Sequence, residues 1–463
     1  MRNLHYEKFA DGSMKCIEDE IPFDLPDGWA WERLSNLASF SGGKTPSTSR
    51  REYWDGEVLW VTSKDMKSKY ITSSQLRLSA LGAEQMQIYQ PDTLLLVTRS
   101  GILRHTLPIA ILKECATVNQ DLKAIVLYMP ELAEYIYTCL KGMEAQLLLK
   151  YTKSGTTVEN VNFDEFQKAL LPIAPLYEVG RIIASTNDAA QIVSAIEDDK
   201  VALAEYVAKA KAKILDLAIR GQLVSQDPAD ESASVLLERI RAEKEELIRQ
   251  GKIKRDKKES FIFKGEDNSY YEKMANGKLH CLDDQLPFEL PEGWEWCNLS
   301  MIGTTNIGLT YCPTDITSDG IMVLRSCNII NDQIDLGDLV RVATTIRENQ
   351  FAQENDILIC ARNGSRSLVG KCALIPNLKE PASFGAFMAI YRTAYFSYIV
   401  HYLRSAFFRS VFDDGNSTTI NQLTQDMLKR AIVPLPPYAE QRRIVAAIEA
   451  ALYELNRIEK SLS

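Results

Sequence analysis

Three stretches of this 463-residue chain carry residue types that could do chemistry, and each fails on spacing. SGGKTPS at 41–47 holds a GKT of the kind that cradles phosphates. The glycine such a loop needs five positions before Gly43 is Ala38, however, and Pro46 follows Thr45 directly. PLPPYAE at 434–440 has the Pro-Pro-Tyr with which an adenine-N6 methyltransferase holds its target amino group. The place that must accept from that group is Leu435, and no glycine-rich loop after a strand is followed by an acid for a methyl donor. His5, His105, His280 and His401 lie far apart, and nine cysteines form no CxxC pair. This pattern argues against nucleotide hydrolysis, methyl transfer, structural zinc and a disulfide framework. What the spacing does support is binding, through turns that combine Lys and Arg with Ser, Thr and Asn. Such turns clamp phosphates and meet base edges.

The candidates fall into matching sets. In the first half they are Lys44, Ser47, Arg50 and Arg51, then Lys64 and Lys67, Arg99 and Arg104, and Lys153 with Thr156. In the second they are Arg325 and Asn328, then Arg362, Asn363, Arg366 and Lys371, and Asn416. Each set sits on a turn beside a short β-rich run. VLWVTS (58–63), TLLLVTR (93–99), PIAIL (108–112) and AIVLY (124–128) are answered in order by MVLRS (322–326), ILICAR (357–362), CALI (372–375) and FMAIYR (387–392). LLVTRSG therefore matches LICARNG, with Arg99 over Arg362. A net charge of −9 means that nucleic acid would be met by local patches. The run 241–260, with eight Lys/Arg against five acids, is one such patch, although a solvated helix face is the plainer reading of it.

The elements that must position these turns are written twice. YEKFADGSMKC at 6–16 returns as YEKMANGKLHC at 271–281, and IPFDLPDGWAW at 21–31 returns as LPFELPEGWEW at 286–296, at a constant offset of 265. SGTTVENV at 154–161 and the later LPIAPLYEVGRII are answered by NSTTINQL at 416–423 and VPLPPYAEQRRIV, at an offset of 262. Opening and exit are shared, and the middles are private.

Both exits read as helices. A seam with alternating spacings of three and four runs from Val179 to Leu217, broken only by Thr186 and Lys200, and it recurs from Ile444 to Leu462 in the same register. Ile182, Val193, Ile196 and Leu203 are expected to pair with Ile444, Ile448, Leu455, Ile458 and Leu462. Gly221 and Asp227-Pro228 end the first helix, and a second, highly charged one is expected from about Val235 to Arg249. No apolar run approaches the roughly 18 to 20 residues that span a bilayer. The first residues hold no signal-peptide core, and the scattered thiols suit a reducing cytoplasm.

The duplicated plan, the LP(D/E)GW opening, the Thr-Thr turn before a PLPPYAEQRRIV-type exit and the central ILDLAIRGQLVSQDPADESASVLLERIRAEKEELIRQGKI together resemble the specificity subunit of type I restriction-modification systems. The resemblance covers essentially the whole chain. It implies an α+β fold with a pseudo-twofold internal repeat. Two target recognition domains, each a mixed β-sheet with short helices, would be separated by two long helices packed as an antiparallel coiled coil. The implied boundaries are 1–26 for the N-terminal segment, 27–175 for the first recognition domain, 176–265 for the central helical region, 266–437 for the second opening and recognition domain, and 438–463 for the C-terminal helix. Residues 1–26 are expected to complete the second unit's pattern.

Such a subunit would be non-catalytic, with no cofactor of its own. It would bind a bipartite site in double-stranded DNA. It would recruit two methylation subunits bringing S-adenosylmethionine, and restriction or motor subunits using ATP and Mg, in a prokaryotic cytoplasm and away from any membrane. A solitary DNA-modifying enzyme would need the motifs found missing above. A coiled-coil scaffold without DNA specificity would show no salt-sensitive duplex binding.

Overall fold

The computed structural model describes residues 4–153, 159–253, 255, 259–410 and 422–462. The chain divides into two compact units, Met1–Glu197 and Asp198–Ser463, with the division inside a single long helix, Leu176–Ile219.

In the first unit, strand Ala30–Arg33 from the shared opening pairs antiparallel with strand Leu170–Ile173 from the shared exit, with Trp31 opposite Pro172. Everything private to the unit is inserted between these two strands. The second unit repeats the clasp: Glu295–Asn298 pairs with Ile432–Leu435, with Trp296 opposite Pro434. The glycine of LP(D/E)GW turns the chain into it. Gly28 and Gly293 have φ of +85° and +82°, a region that side chains with a Cβ rarely enter, and each passes close to a proline of its own exit, Pro175 or Pro437. The next residue locks the exit helix: Trp29 Nε1 donates to Glu178 Oε2 at 3.2 Å, and Trp294 Nε1 to Glu440 Oε2 at 3.0 Å. Tyr135 and Tyr398 each donate a hydroxyl at 2.8 Å to the carbonyl of the clasp proline. These anchors are the physical content of the repeated words.

The private middle of the first unit is a five-stranded sheet in the order Ala38–Gly42, Leu122–Leu127, Leu94–Val97, Ile109–Leu112, Tyr70–Ile71, beside a three-stranded one in the order Ala116–Val118, Trp54–Val61, Leu76–Leu78. The central runs are apolar without alternation because both faces are covered. Leu94, Leu96, Ile109, Ile111 and Ile125 face a core shared with helices Ala133–Gly142 and Glu144–Tyr151. Leu95, Val97, Ala110 and Leu112 face another core that holds Leu59 and Val61. Truncating such a leucine, for example Leu95→Ala, costs about 2–5 kcal/mol.

The second unit carries the same scheme in strands Thr304–Ile307, Met388–Arg392, Ile357–Cys360 and Cys372–Leu374, beside Val340–Val342, Ile316–Leu324 and Ala382–Phe384. Ile357 and Ile359 face one core, and Leu358 and Cys360 the other. In both units the smaller sheet holds a parallel pair, Ala116–Val118 on Leu59–Val61 and Ala382–Phe384 on Met322–Leu324.

The openings differ. In the second unit, hairpin Tyr270–Met274/Leu279–Cys281 is extended by a third strand, Ser260–Lys264, and Asn298 donates to Ser260 Oγ at 3.1 Å. In the first, Arg33 stands at the place of Asn298 and holds hairpin Tyr6–Lys8/Met14–Cys16 through Glu7 at 2.6 Å and Glu20 at 2.7 Å. The hydrogen bond from Arg33 keeps the Glu20 carboxyl down at about 2. The N-terminal segment is thus tied to the first unit, which corrects the expectation that it completes the second.

The long helix ends at Ile219, and Gly221 follows at φ +66°. The charged helix is Ala233–Arg249, and the C-terminal helix is Tyr438–Leu462. Within the second unit, Ala218 and Ile219 share a buried core with Ile444 and Ile448, while Lys211 Nζ lies 2.6 Å from Glu459 Oε2. Those two segments therefore run antiparallel.

The expected seam is corrected in detail. Ile444 and Ile448 are fully buried, but in a core that also takes in Tyr398 and Val433 from the recognition fold. Leu455 and Leu462 are half-buried. Ile182 lies half-buried against the first unit's own core. Val193, Ile196, Leu203 and Ile458 are exposed, by 55%, 61%, 42% and 40%. Within the second unit, the C-terminal helix spends its apolar face on that unit's core and on residues near 215. Among the described residues, no helix is long and apolar enough to cross a membrane, and no cluster of His, Cys, Asp and Glu could hold a metal ion.

Candidate nucleic-acid interface

The structure gathers the predicted turns at one end of each private sheet, through backbone hydrogen bonds between strand ends. In the first unit Lys44 N donates to Val118 O at 3.0 Å, Asn119 N to Val61 O at 3.0 Å, and Thr98 N to Asp121 O at 2.9 Å. The turns after four different strands are thereby joined. The crossing is so close that a Cβ on Gly43 would lie 2.0 Å from Val118 O, so the glycine before Lys44 is required by backbone approach rather than by phosphate.

The second unit reproduces the joint. Leu309 N donates to Phe384 O at 2.7 Å, Gly385 N to Leu324 O at 3.0 Å, and Ala361 N to Phe387 O at 2.9 Å. A Cβ on Gly308 would lie 2.2 Å from Gly385 O.

Arg99 and Arg362 occupy equivalent places. Each forms an isolated bridge to the strand that returns toward the exit, Arg99 with Asn160 and Arg362 with Gln422. Lys153 pairs with Asn160 on the other side, so Arg99, Asn160 and Lys153 stand in a row. Both arginines are exposed. Arg104 is exposed too, with its Nε 2.9 Å from Glu159 Oε1. The arginine end of this pair is open to solvent, while Glu159 is largely covered.

Lys64 and Lys67 are exposed on a turn capped by Asp65, whose Oδ2 accepts from Thr62 N at 2.8 Å. Asn328 performs the same task in the second unit, accepting from Arg325 N at 2.9 Å. Its amide also donates to Asp335 O at 3.0 Å and to Asp338 O at 2.8 Å, and only 1% of the residue is exposed. Asn328 thus shapes the turn and has no free edge for a ligand, a correction to its expected role. Arg325 beside it pairs with Asp338 Oδ2 at 3.0 Å. Asn363 Nδ2 reaches Ser326 Oγ at 3.4 Å, which joins turn 363–371 to turn 325–328. Arg366 is exposed and Lys371 half-buried on that turn.

Ser47, Arg50 and Arg51 are exposed on a separate stretch packed against aromatic rings. Trp54 Nε1 donates to Ser47 O at 3.2 Å, and Arg50 donates to Tyr53 OH at 2.7 Å. Thr156 and Asn416 lie outside the described residues.

Sequence reasoning missed two turns that the strand pairing brings into the cluster: Asn119–Asp121, and Gly385–Phe387 with its exposed ring. The apolar runs Ala116–Val118 and Ala382–Phe384 that precede them were the available signal. They are too short to declare themselves strands without their parallel partners.

Two layered α+β units thus carry unlike sets of exposed turns on a repeated clasp. The family profile described as type I restriction modification DNA specificity domain matches residues 26–201 and 328–463. The chain belongs to that family. It is similar to the EcoAI specificity subunit of type I restriction enzymes from Escherichia coli, at 24% identity over 96% of this chain and 80% of that one. Its fold is also that of the HsdS subunit from Thermoanaerobacter tengcongensis, at 16% identity and a TM-score of 0.54 over 96% of this chain and 94% of that one. A chain described under complex assembly and conformational transition of the type I R-M system matches at a TM-score of 0.58, 16% identity and 95% and 94% coverage.

Proposed function

We propose that this specificity subunit reads a bipartite site in double-stranded DNA, one half-site for the turn cluster of each unit, and does no catalysis itself. It recruits two methylation subunits carrying S-adenosylmethionine, and restriction or motor subunits using ATP and Mg, in the cytoplasm of a prokaryote. The observation that carries this reading is that one backbone joint, built twice, presents an arginine at the same place beside different neighbours. Arg99 stands with Lys153, Lys44 and Asp121; Arg362 stands with Phe387, Asn363 and Arg366. Conserving the frame while changing what it displays is what two different half-sites require.

The open seam residues Val193, Ile196 and Leu203 belong to the same proposal. Apolar side chains at helical spacing along a charged helix suit pairing with another helix, whether the C-terminal helix or one from a methylation subunit. The experiment that tests the reading is methylated-adenine mapping in cells that carry this chain with its methylation subunits. A split site with two unlike halves is expected. Methylation by the purified chain alone, or a complex that binds duplex without preference, would overturn it.

A further inference from the structure

Among the described residues at the turn cluster of the second unit, the exposed side chains include basic and acidic groups, the aliphatic Ile307 and Leu336, and one aromatic ring. Phe387 is 60% exposed, at the end of the turn that joins Ala382–Phe384 to Met388–Arg392. A lone exposed ring carries no meaning in general, but this one is held in place. Its carbonyl accepts from Ala361 N at 2.9 Å and from Arg362 N at 3.0 Å, and Met388 N closes the turn on Gly385 O at 2.8 Å. The guanidinium of Arg362 lies over the ring, 5.5 Å from its centroid, which is within cation–π range. With the backbone clamped, the ring keeps only two torsions, so little entropy is lost when it meets a ligand.

The first unit shows that the ring is not a demand of the fold. The equivalent carbonyl, which accepts from Thr98 N at 2.9 Å, belongs to Asp121, and its carboxylate takes the amide of Asn119 at 3.3 Å. The same clamp therefore holds an acid in one unit and a phenyl ring in the other. In the major groove the one apolar feature of the base code is the C5-methyl group of thymine, and arginine's usual partners there are the O6 and N7 acceptors of guanine.

We infer that Phe387 makes an apolar contact with a thymine methyl group in the second half-site, with Arg362 meeting an acceptor on a neighbouring base or phosphate. The inference rests on the duplex-reading function proposed above. Phe387 is then a specificity-determining residue of one half-site only.

The test uses the complex of this chain with its methylation subunits and a duplex carrying the mapped site. Each thymine of the second half-site is replaced in turn by uracil, which removes only the methyl group. At one position the wild-type complex should bind about fourfold more weakly, the effect of one buried methyl. Phe387→Ala should bind the unmodified duplex more weakly by at least that factor, lose the distinction between thymine and uracil at that position, and keep wild-type discrimination in the first half-site. Phe387→Leu should retain part of the distinction.

A Phe387→Ala complex that still tells thymine from uracil overturns the inference. So does a wild-type complex indifferent to uracil everywhere in the second half-site, or fluorescence of a neighbouring 2-aminopurine that rises on wild-type binding but not with Phe387→Ala, which would mark the ring as a wedge between bases. A wild-type complex that cannot tell the mapped duplex from a scrambled one would instead overturn the duplex-reading function itself.

Discussion

Beside its strand ends the first unit carries Lys44, Asp121 and Arg99, and the second carries Leu309, Phe387 and Arg362, on backbones that share the hydrogen bonds of Lys44 and Leu309, Asn119 and Gly385, and Thr98 and Ala361. Beneath them the clasps are nearly identical: Trp31 on Pro172 and Trp296 on Pro434, each with a neighbouring tryptophan bonded to the glutamate of its exit helix. Stability is thus carried by residues other than those proposed above to carry recognition. The buried positions repeat because any change there costs packing. The turn positions diverge because solvent-exposed side chains can change at little cost to the fold.

The sharpest test of this separation exchanges residues 32–153 for the corresponding segment of another specificity subunit. Methylome mapping should then show one half-site replaced and the other intact. A change in both halves would mean that the units do not read independently.

A smaller effect follows from truncating the matched arginines. Arg99→Ala and Arg362→Ala should each reduce discrimination at one half-site by about 1–3 kcal/mol if they meet base edges. Titrations against duplexes altered in one half at a time measure this. Two variants with unchanged binding would assign both arginines to the turns alone.

The clasps should differ in stability by a comparable or lesser amount. Glu440 is 1% exposed and accepts from Trp294 at 3.0 Å and from Gln226 at 3.2 Å, while burial pushes its carboxyl up. Glu440→Ala leaves those two donors without their acceptor and should cost about 1–3 kcal/mol. Glu178, half-buried with Trp29 as its hydrogen-bond partner, should cost less on the same change. Chemical denaturation of the two variants checks the order.

Within the second unit, one buried group should also give a dependence on pH. His401 is buried there, and burial, aided by the charge of Arg404, holds its imidazole down at about 4. The unfolded chain takes up a proton near 6.5, whereas the folded chain does so only near 4. Stability from this group is therefore complete above about 6.5 and is lost as the pH falls from there toward 4. Melting curves of His401→Phe should fall less between pH 7 and pH 4 than those of the wild type. Parallel curves would assign the acid sensitivity elsewhere.

Much of this architecture was legible from the order of residues. The repeated words located both clasps, because a Trp, a left-handed Gly and a Pro recur where the same joint is built. Runs such as LLLV and ILIC marked the central strands, because both of their faces are covered. Arg99 and Arg362 could be aligned because each directly follows such a run by a fixed step. Helices Leu176–Ile219 and Ala233–Arg249 followed from local period and a glycine stop.

Tertiary structure alone decided the rest. Parallel pairing of Ala116–Val118 and Ala382–Phe384 with strands far away in the chain brought turns 119–121 and 385–387 into the turn clusters, and no local pattern encodes that pairing. The burial of Asn328 depended on carbonyls seven and ten residues further on. The N-terminal hairpin went to the first unit because Arg33 met Glu7 and Glu20 there, an ion-pair choice invisible in a hairpin that is spelled almost alike in both copies. Period placed Val193, Ile196 and Leu203 on one helix face. Within the second unit, the C-terminal helix spends its own apolar residues on that unit's core, a choice that no local period encodes.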